Sequence, residues 1–435
     1  MSYPQALAHL DALGVDAMKT LSPSLDRIEA LTAALDHPER VLPAIHITGT
    51  NGKTSTAHIA TGVLSATGLR VATYTSPHLQ DITERLTLDS VPISEEAFGE
   101  LFGHIKPYID LVEGERGETL SYFEVLTAMF FLWAADVADV MVVEVGLGGR
   151  WDATNVMTNV PVAVITNVRL DHTGMLGMDE TTIAKEKSGI IKPGATVVTA
   201  ELRPDVLEII DGEASGAGAN VAKIERDFRI LDNRMAVGGR LVTVRTSSRD
   251  YADLFLPLYG AHQATNSAVA LEAVTSFLPD DTLGEEVVAA GLSAVHVPGR
   301  LEMLKGEDPG APRVVLDVAH NPDGMAALAS SLHEAFAFEQ AVVVIGILAD
   351  KDIRGMLSEL TRIPCTLIAT RAESVRSAVP EALDEVAAEV GLGCEVVPSL
   401  PAALRRAVGS AGSDGLVVVT GSHYVVGEAR RYVTA

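Results

Sequence analysis

The chain has 435 residues, 47% of them hydrophobic, and 33 Lys and Arg against 58 Asp and Glu give a formal net charge of −25. That charge excludes nucleic acid and anionic membrane as partners, and the longest uncharged apolar run, 125–135, falls well short of the roughly 20 residues a membrane helix needs. With no basic-then-apolar leader and two cysteines, Cys365 and Cys394, that match no metal or redox spacing, a cytoplasmic protein of two or three domains is expected.

Leu7, Leu10 and Leu13, then Leu25, Ile28, Leu31 and Leu35, have the spacing of two short amphipathic helices, with Asp26-Arg27 at the start of the second. A β-branched run around Ile45-His46-Ile47 then breaks into Gly49-Thr50-Asn51-Gly52-Lys53-Thr54-Ser55. This reads as a nucleotide phosphate cradle. The glycines let backbone N–H groups turn inward, Lys53 offers a charge to the β/γ-phosphates, a hydroxyl of Thr54 or Ser55 can reach Mg²⁺, and the helix expected over 54–66 aims its positive end at the same anion. Ile47 stands where the general pattern has its first glycine.

A strand at 70–74 leads to Thr75-Ser76-Pro77-His78-Leu79, and helices follow at 94–112 and 121–135. In the strand 139–145, Glu144 is the only acid of the apolar run 140–145, and Gly146-Leu147-Gly148-Gly149-Arg150-Trp151-Asp152-Ala153-Thr154-Asn155 comes next. A carboxylate buried there needs a cation, Mg²⁺ or Arg150. The strand 161–166 ends in Asn167-Val168-Arg169-Leu170-Asp171-His172, while Lys185-Glu186-Lys187 reads by itself as a solvated helix face. Short strands over 219–258, turning at Gly238-Gly239, are expected to extend the sheet antiparallel, followed by helices at 262–277 and 282–293 and a linker, Val297-Pro298-Gly299-Arg300. A second alternation has strands at 313–317, 341–347, 366–370 and 415–420. The expected organisation is therefore an α/β chain whose residues 1–296 form an ATP-binding domain with a mostly parallel sheet and a short helical N-terminal segment, and whose residues 297–435 form a smaller Rossmann-like domain. Ligands bind beyond the carboxyl ends of such strands, where these clusters fall. Against the long-range repulsion of phosphate, Lys53, Arg85, Arg150 and Arg300, with Mg²⁺, would supply local positive charge.

Taken together, the phosphate loop, Thr75–Leu79 with Glu84-Arg85, Tyr122-Phe123-Glu124, Glu144–Asn155, Leu170-Asp171-His172, Glu186–Ile190, His262-Gln263 with Asn266, Pro298-Gly299-Arg300, Asp317–Pro322 and Asp350-Lys351-Asp352 resemble the folylpolyglutamate synthase/dihydrofolate synthase family of Mur-type amide ligases over essentially the whole chain. The resemblance implies ATP bound by Gly49 to Ser55, Asn266, Arg300 and Asp317. It implies one Mg²⁺ on Ser76 and Glu144, with a Thr54 or Ser55 hydroxyl, and a second among Glu144, His172 and a carbamylated Lys187. Lys53, His172 and Lys187 would be catalytic. Leu25, Asp26, Arg27, His78, Arg85, Ser121, Tyr122, Phe123, Glu124, Asp152, Ala153 and His320 would meet the substrates, Phe123 stacking on the pterin and Asp152 accepting from its N–H groups. Thr54 stands where many members of the folate branch have glycine, and Trp151 where leucine is common.

The implied activity is ATP-dependent formation of an amide between L-glutamate and dihydropteroate, reduced folates or both, by a monomer. Two other readings compete: a Mur-type ligase acting on a non-folate carboxylate, for whose extra N-terminal domain 48 residues leave little room, and a non-catalytic ATP-binding regulator, against which Lys53, Glu144, His172 and Lys187 speak.

Overall fold

The computed structural model of the chain describes residues 1–14, 24–278, 283–304, 311–413 and 415–434. Eight strands form the first sheet: β1 (Ala44–Thr48), β2 (Val71–Tyr74), β3 (Leu86–Leu88), β4 (Val91–Pro92), β5 (Val140–Glu144), β6 (Val162–Ile165), β7 (Thr196–Thr199) and β8 (Asn220–Lys223), in the order β4-β3-β2-β5-β1-β6-β7-β8. From β2 to β8 every pairing is parallel, and the β3–β4 hairpin closes one edge antiparallel. β1 and β5 are buried along their whole length, as strands covered on both faces must be. Because side chains alternate along a strand, Ile45 and Ile47 face the helices Lys53–Ala66 and His262–Phe277, while Ala44 shares the opposite core with Tyr74, Phe98, Phe130 and the helix Tyr122–Val137.

The expected antiparallel extension is corrected. β9 (Arg229–Ala236), β10 (Gly239–Arg245) and β11 (Asp250–Leu256) form a separate three-stranded sheet, and β8 is instead the parallel edge of the main one. Val242, Val244, Tyr251, Leu254 and Leu256 point into the core around the helices Lys53–Ala66 and His262–Phe277, so this small sheet buries its apolar face on helices rather than joining a strand edge. The next helix runs Glu285–Ser293, and the expected start at Thr282 lies outside the described residues.

The last sheet holds β12 (Glu302–Leu304), β13 (Arg313–Leu316), β14 (Ala341–Ile345), β15 (Cys365–Arg371), β16 (Cys394–Ser399) and β17 (Leu416–Thr420), in the order β12-β13-β17-β14-β15-β16. Only β12 is antiparallel. Helices cover both of its faces. Among the described residues no helix is long and apolar enough to cross a membrane.

Candidate active site

β1 ends at Thr48, and the chain turns through 49–52 into the helix Lys53–Ala66, whose N-terminus opens on the turn. Gly49 and Gly52 have φ of 149° and 86°, and a Cβ would fall 1.8 Å from Thr166 Oγ1 at the first and 2.4 Å from Asn266 Oδ1 at the second. No other residue fits there. The chain after β6 clamps the turn: Thr50 N–H donates to Asn167 O at 2.9 Å, Asn51 N–H to Asn167 Oδ1 at 3.0 Å, and Thr166 Oγ1 to Asn51 O at 2.7 Å. Lys53 Nζ rests on the loop's own carbonyls, 3.2 Å from Gly49 O and 3.3 Å from Thr50 O. The result is a rigid concave turn that sets an ammonium beside an open helix N-terminus, which is an anion cradle.

Glu144, at the end of β5, is 1% exposed and accepts the Thr54 hydroxyl on both oxygens, at 3.1 and 3.0 Å, and Ser76 N–H at 3.4 Å. Arg150, the alternative cation, turns away to Glu213 at 2.8 Å. Burial pushes the Glu144 pKa up, against the pull of Lys53, the Thr54 hydroxyl and Arg300. A buried carboxylate beside hydroxyl oxygens, short of positive charge, is a donor set that fits a hard divalent cation.

Lys187, expected on a solvated face, is 4% exposed and donates to Gly49 O at 2.9 Å. Its helix, Glu180–Ser188, turns Ile183, Ala184, Lys187 and Ser188 inward and leaves Thr181, Thr182 and Lys185 outside. Burial, helped by Lys53, lowers the Lys187 pKa to about 7. Burial and the nearby Lys351 and Lys53 lower His172 to about 4 despite Asp171, leaving a neutral imidazole able to ligate. Among the described residues no three His, Cys, Asp or Glu side chains gather as a metal cluster, and the implied donor set has one carboxylate and one imidazole, completed by hydroxyls and a modified lysine.

The C-terminal sheet closes the cleft. Asp317, just past β13, accepts Leu301 N–H and Ala319 N–H at 2.9 Å each, and the charge of Arg300 offsets the burial that raises its pKa. Asp171 reaches across from β6 and accepts Lys351 Nζ at 2.7 Å, and Asn321 Nδ2 bridges it, at 3.4 Å, to Asn51 Oδ1, at 3.1 Å. Although burial opposes it, His172, Lys351 and His320 hold the Asp171 carboxyl well below its usual range. The ring of His320 lies 5.3 Å from that of His423. The cleft so enclosed has a volume of about 630 Å³.

Beside the cleft, Arg85 Nε donates to His78 Nδ1 at 3.0 Å, and its guanidinium sits 5.4 Å over the Tyr122 ring. Arg27 Nε pairs with Glu124 at 3.1 Å, and Glu124 closes a capping box with Ser121. Phe123 packs on Tyr74 and on Gly146, where a Cβ would meet its ring at 2.5 Å. Asp152, 2% exposed, accepts Thr154 N–H at 3.0 Å and the Thr154 hydroxyl at 2.5 Å on one oxygen and Leu147 N–H at 2.9 Å on the other. Burial raises its pKa against those donors.

Residues 47–274 match the family of the Mur ligase middle domain, and residues 299–423 that of the Mur ligase glutamate ligase domain. The dihydrofolate synthase/folylpolyglutamate synthase of Mycobacterium tuberculosis is 40% identical over 94% of this chain and 90% of its own length. The structure of Mycobacterium tuberculosis folylpolyglutamate synthase complexed with ADP superposes with a TM-score of 0.93 at 38% identity, covering 100% of this chain and 98% of that one. The chain belongs to the dihydrofolate synthase/folylpolyglutamate synthase family. A folylpolyglutamate synthase complex with AMPPCP and folate superposes at a TM-score of 0.87 and 31% identity over 100% of both chains. Like the rest of this Mur ligase family, the chain is an ATP-dependent ligase of α/β architecture.

Of the residues singled out from the sequence of this ligase, Gly49 to Ser55, Ser76, Arg85, Glu144, His172, Lys187, Asn266, Arg300, Asp317 and His320 line the cleft. Leu25, Asp26, Arg27, His78, Ser121, Tyr122, Phe123, Glu124, Asp152 and Ala153 do not line it. Beside it His78 and Tyr122 hold Arg85, Phe123 packs on Gly146 and Arg27 pairs with Glu124, a wall next to the cleft, while Asp26 is exposed. Arg150 is no cleft cation, because Glu213 holds it elsewhere; Arg169 and Lys351 line the cleft instead. Asp171 and Lys351 lie within motifs that by themselves give them no task, since the ion pair between them spans 180 positions. His423, absent from the residues expected from the sequence, also lines the cleft, and its one signal is its place after the strand-end turn Thr420-Gly421-Ser422, a usual site of ligand contact.

Proposed function

We propose that this ligase joins the amino group of L-glutamate to the carboxyl of dihydropteroate and to the glutamyl tail of reduced folates. The observation that carries this reading is the convergence on one cleft of the phosphate loop, Glu144 and Lys187 from the first sheet with Arg300 and Asp317 from the second. A carboxylate oxygen attacks the γ-phosphorus of ATP, its bond to the β-γ bridging oxygen breaks, and ADP leaves. The amine of glutamate then attacks the acyl phosphate, loses a proton and expels phosphate. Lys53 moves from the loop carbonyls onto the transferring group, the N–H groups of Gly52 and Lys53 at the helix N-terminus hold the other phosphates, and Asn266, Arg300 and Asp317 hold the nucleotide. Two Mg²⁺ ions, one on Ser76, Glu144 and a hydroxyl of Thr54 or Ser55 and the other among Glu144, His172 and carbamylated Lys187, would supply charge neutralisation when bound.

Carbamylation needs a neutral amine to attack CO₂, and a lysine with a pKa of about 7 supplies one at physiological pH. Water would hydrolyse the acyl phosphate, so the units 1–296 and 297–435 close over it about 297–300, with Arg300 at the hinge. The reading extends to a cytoplasmic monomer acting on small molecules. The net charge of −25 supports the exclusion of polyanionic partners.

Glutamate-dependent ADP release, measured with dihydropteroate and tetrahydrofolate separately, tests the proposal. Turnover of both is expected. Tetrahydrofolate alone would reduce the chain to a folylpolyglutamate synthase, and turnover of neither would overturn the folate assignment in favour of another carboxylate.

A further inference from the structure

The loop after β5 is fastened from behind by a hydrogen-bond chain that starts inside the sheet. His46, in the middle of β1, is fully buried, with Nε2 2.8 Å from Thr154 Oγ1. Thr154 Oγ1 is in turn 2.5 Å from Asp152 Oδ1. An ionised carboxylate has no proton to give, so the hydroxyl donates to it. Having committed its one hydrogen, Thr154 can only accept from His46, which fixes the imidazole as the Nε2–H tautomer. Burial and Lys192 lower the His46 pKa to about 3, in keeping with a neutral ring.

This tautomer leaves Nδ1 as a bare lone pair, and among the described residues it finds no partner. A buried acceptor without a partner is costly. Every other residue of β1 from 44 to 47 is Ala or Ile, so an aliphatic side chain at 46 would suit the strand without that cost. What the histidine supplies in return is one donor, aimed at Thr154.

We propose that His46 is a positioning residue for the acid substrate: its Nε2–H pins the Thr154 hydroxyl on Asp152 and through both holds the loop 146–155 against Phe123 in the shape the pteroate meets. The inference rests on the proposed function and on the placement of the pterin against Phe123 and Asp152 that the family resemblance implies.

The test compares His46→Leu, His46→Gln, Thr154→Val and Asp152→Ala in the full-length enzyme, measuring the KM for whichever acid is turned over, the KM for ATP and the melting temperature. Losing one hydrogen bond of the chain should raise the acid KM about three- to tenfold in His46→Leu and in Thr154→Val while the ATP KM stays within about twofold. His46→Gln, whose amide nitrogen can stand where Nε2 stood, should recover most of the loss. Should His46→Leu not fold, Thr154→Val carries the same comparison. Equal changes in both KM values, an unchanged acid KM, or a glutamine no better than leucine would overturn the role of His46. If Asp152→Ala raises the acid KM and His46→Leu does not, only the inference fails. An unchanged acid KM in Asp152→Ala overturns the placement of the acid on this loop and the inference with it.

Discussion

The cleft and the wall beside it treat charge in opposite ways. On the phosphate side, Glu144 is a buried carboxylate met by a hydroxyl and an N–H, Lys187 is a buried amine on one carbonyl, and Lys53 leans on its own loop. On the acid side, the wall proposed to meet the acid substrate, Arg27 is matched to Glu124, Arg85 to His78 and the Tyr122 ring, and Asp152 to its own loop. Groups left short of partners gain most when a ligand arrives, and they gain most in the charged transition state. Groups already paired make a preshaped wall, whose value lies in not having to rearrange. Substitutions on the first side should therefore act on kcat, and those on the second on the KM for the acid.

Lys187→Ala puts the first half of that contrast at greatest risk. Turnover should fall by about 10²–10³-fold, the range for removing one preorganised electrostatic group. The fold should survive, because the side chain's one hydrogen bond is to a carbonyl that Lys53 also reaches. Wild-type turnover would remove Lys187 from the site. The buried amine also leaves a stability signature. Its folded pKa of about 7 lies below the 10.5 of the free side chain, so between those values the unfolded chain binds the proton that the folded chain has released. Stability relative to Lys187→Met should therefore rise as pH climbs from about 7 toward about 10 in CO₂-free buffer, and the cost of burial should be fully present below 7. Urea midpoints at the two ends of that window measure it, and a flat difference would mean that the amine titrates alike in the folded and unfolded chain, so that burial does not lower its pKa.

Arg300→Ala should come next, with the KM for ATP raised and kcat lowered together, each by about tenfold, since its charge is felt by both Asp317 and Glu144 and the proposed closure turns about it. Lys53→Ala should instead act mainly on kcat. If Arg300→Ala leaves both ATP parameters unchanged, the arginine does not link the nucleotide to closure.

Asp152→Ala moves to the acid side. Two backbone N–H groups and a hydroxyl lose their acceptor, so the acid should bind more weakly by about 1–3 kcal/mol, with a loss of stability of similar size, while the KM for ATP is kept. A fall in kcat without a change in the acid KM would break the division between the two sides.

The same contrast governs what the sequence made legible. The phosphate loop is contiguous, and its glycines, lysine and hydroxyls carry their chemistry in seven neighbouring positions. Glu144 was legible because an acid in an apolar strand is an anomaly. Lys187 was not legible from its own segment, because Lys185-Glu186-Lys187 looks uniformly polar and only helix phase decides which lysine is buried. The pairing of Asp171 with Lys351, and the saturation of Asp152 by its own loop, arise only when the chain is folded. Among the strands, β3, β4, β7, β12 and β16 were not read from the sequence: β3, β4 and β7 are only two to four residues long, and β12, with three half-buried residues, and β16, with three half-buried and three exposed, show no buried apolar run. The alternation in β9–β11 announced strands but could not say that their apolar face would meet helices instead of a sheet edge.

The smallest effect is expected at Trp151, where the family resemblance leads one to expect leucine and where a bulky ring could have narrowed the pocket. The structure leaves this side chain 51% exposed, outside the cleft, and anchors the residue by its backbone, Trp151 N–H donating to Glu186 Oε1 at 3.3 Å. A ring turned to solvent narrows nothing, and its replacement leaves that backbone bond in place. Trp151→Leu should therefore change stability by no more than about 0.5 kcal/mol, as surface substitutions usually do. The KM values for dihydropteroate and tetrahydrofolate, measured separately, should both stay within about twofold, a difference of under about 0.5 kcal/mol in binding. A change confined to one of the two acids would show that substrate extends out over 148–151, and the acid side would then be an open surface there instead of a closed wall.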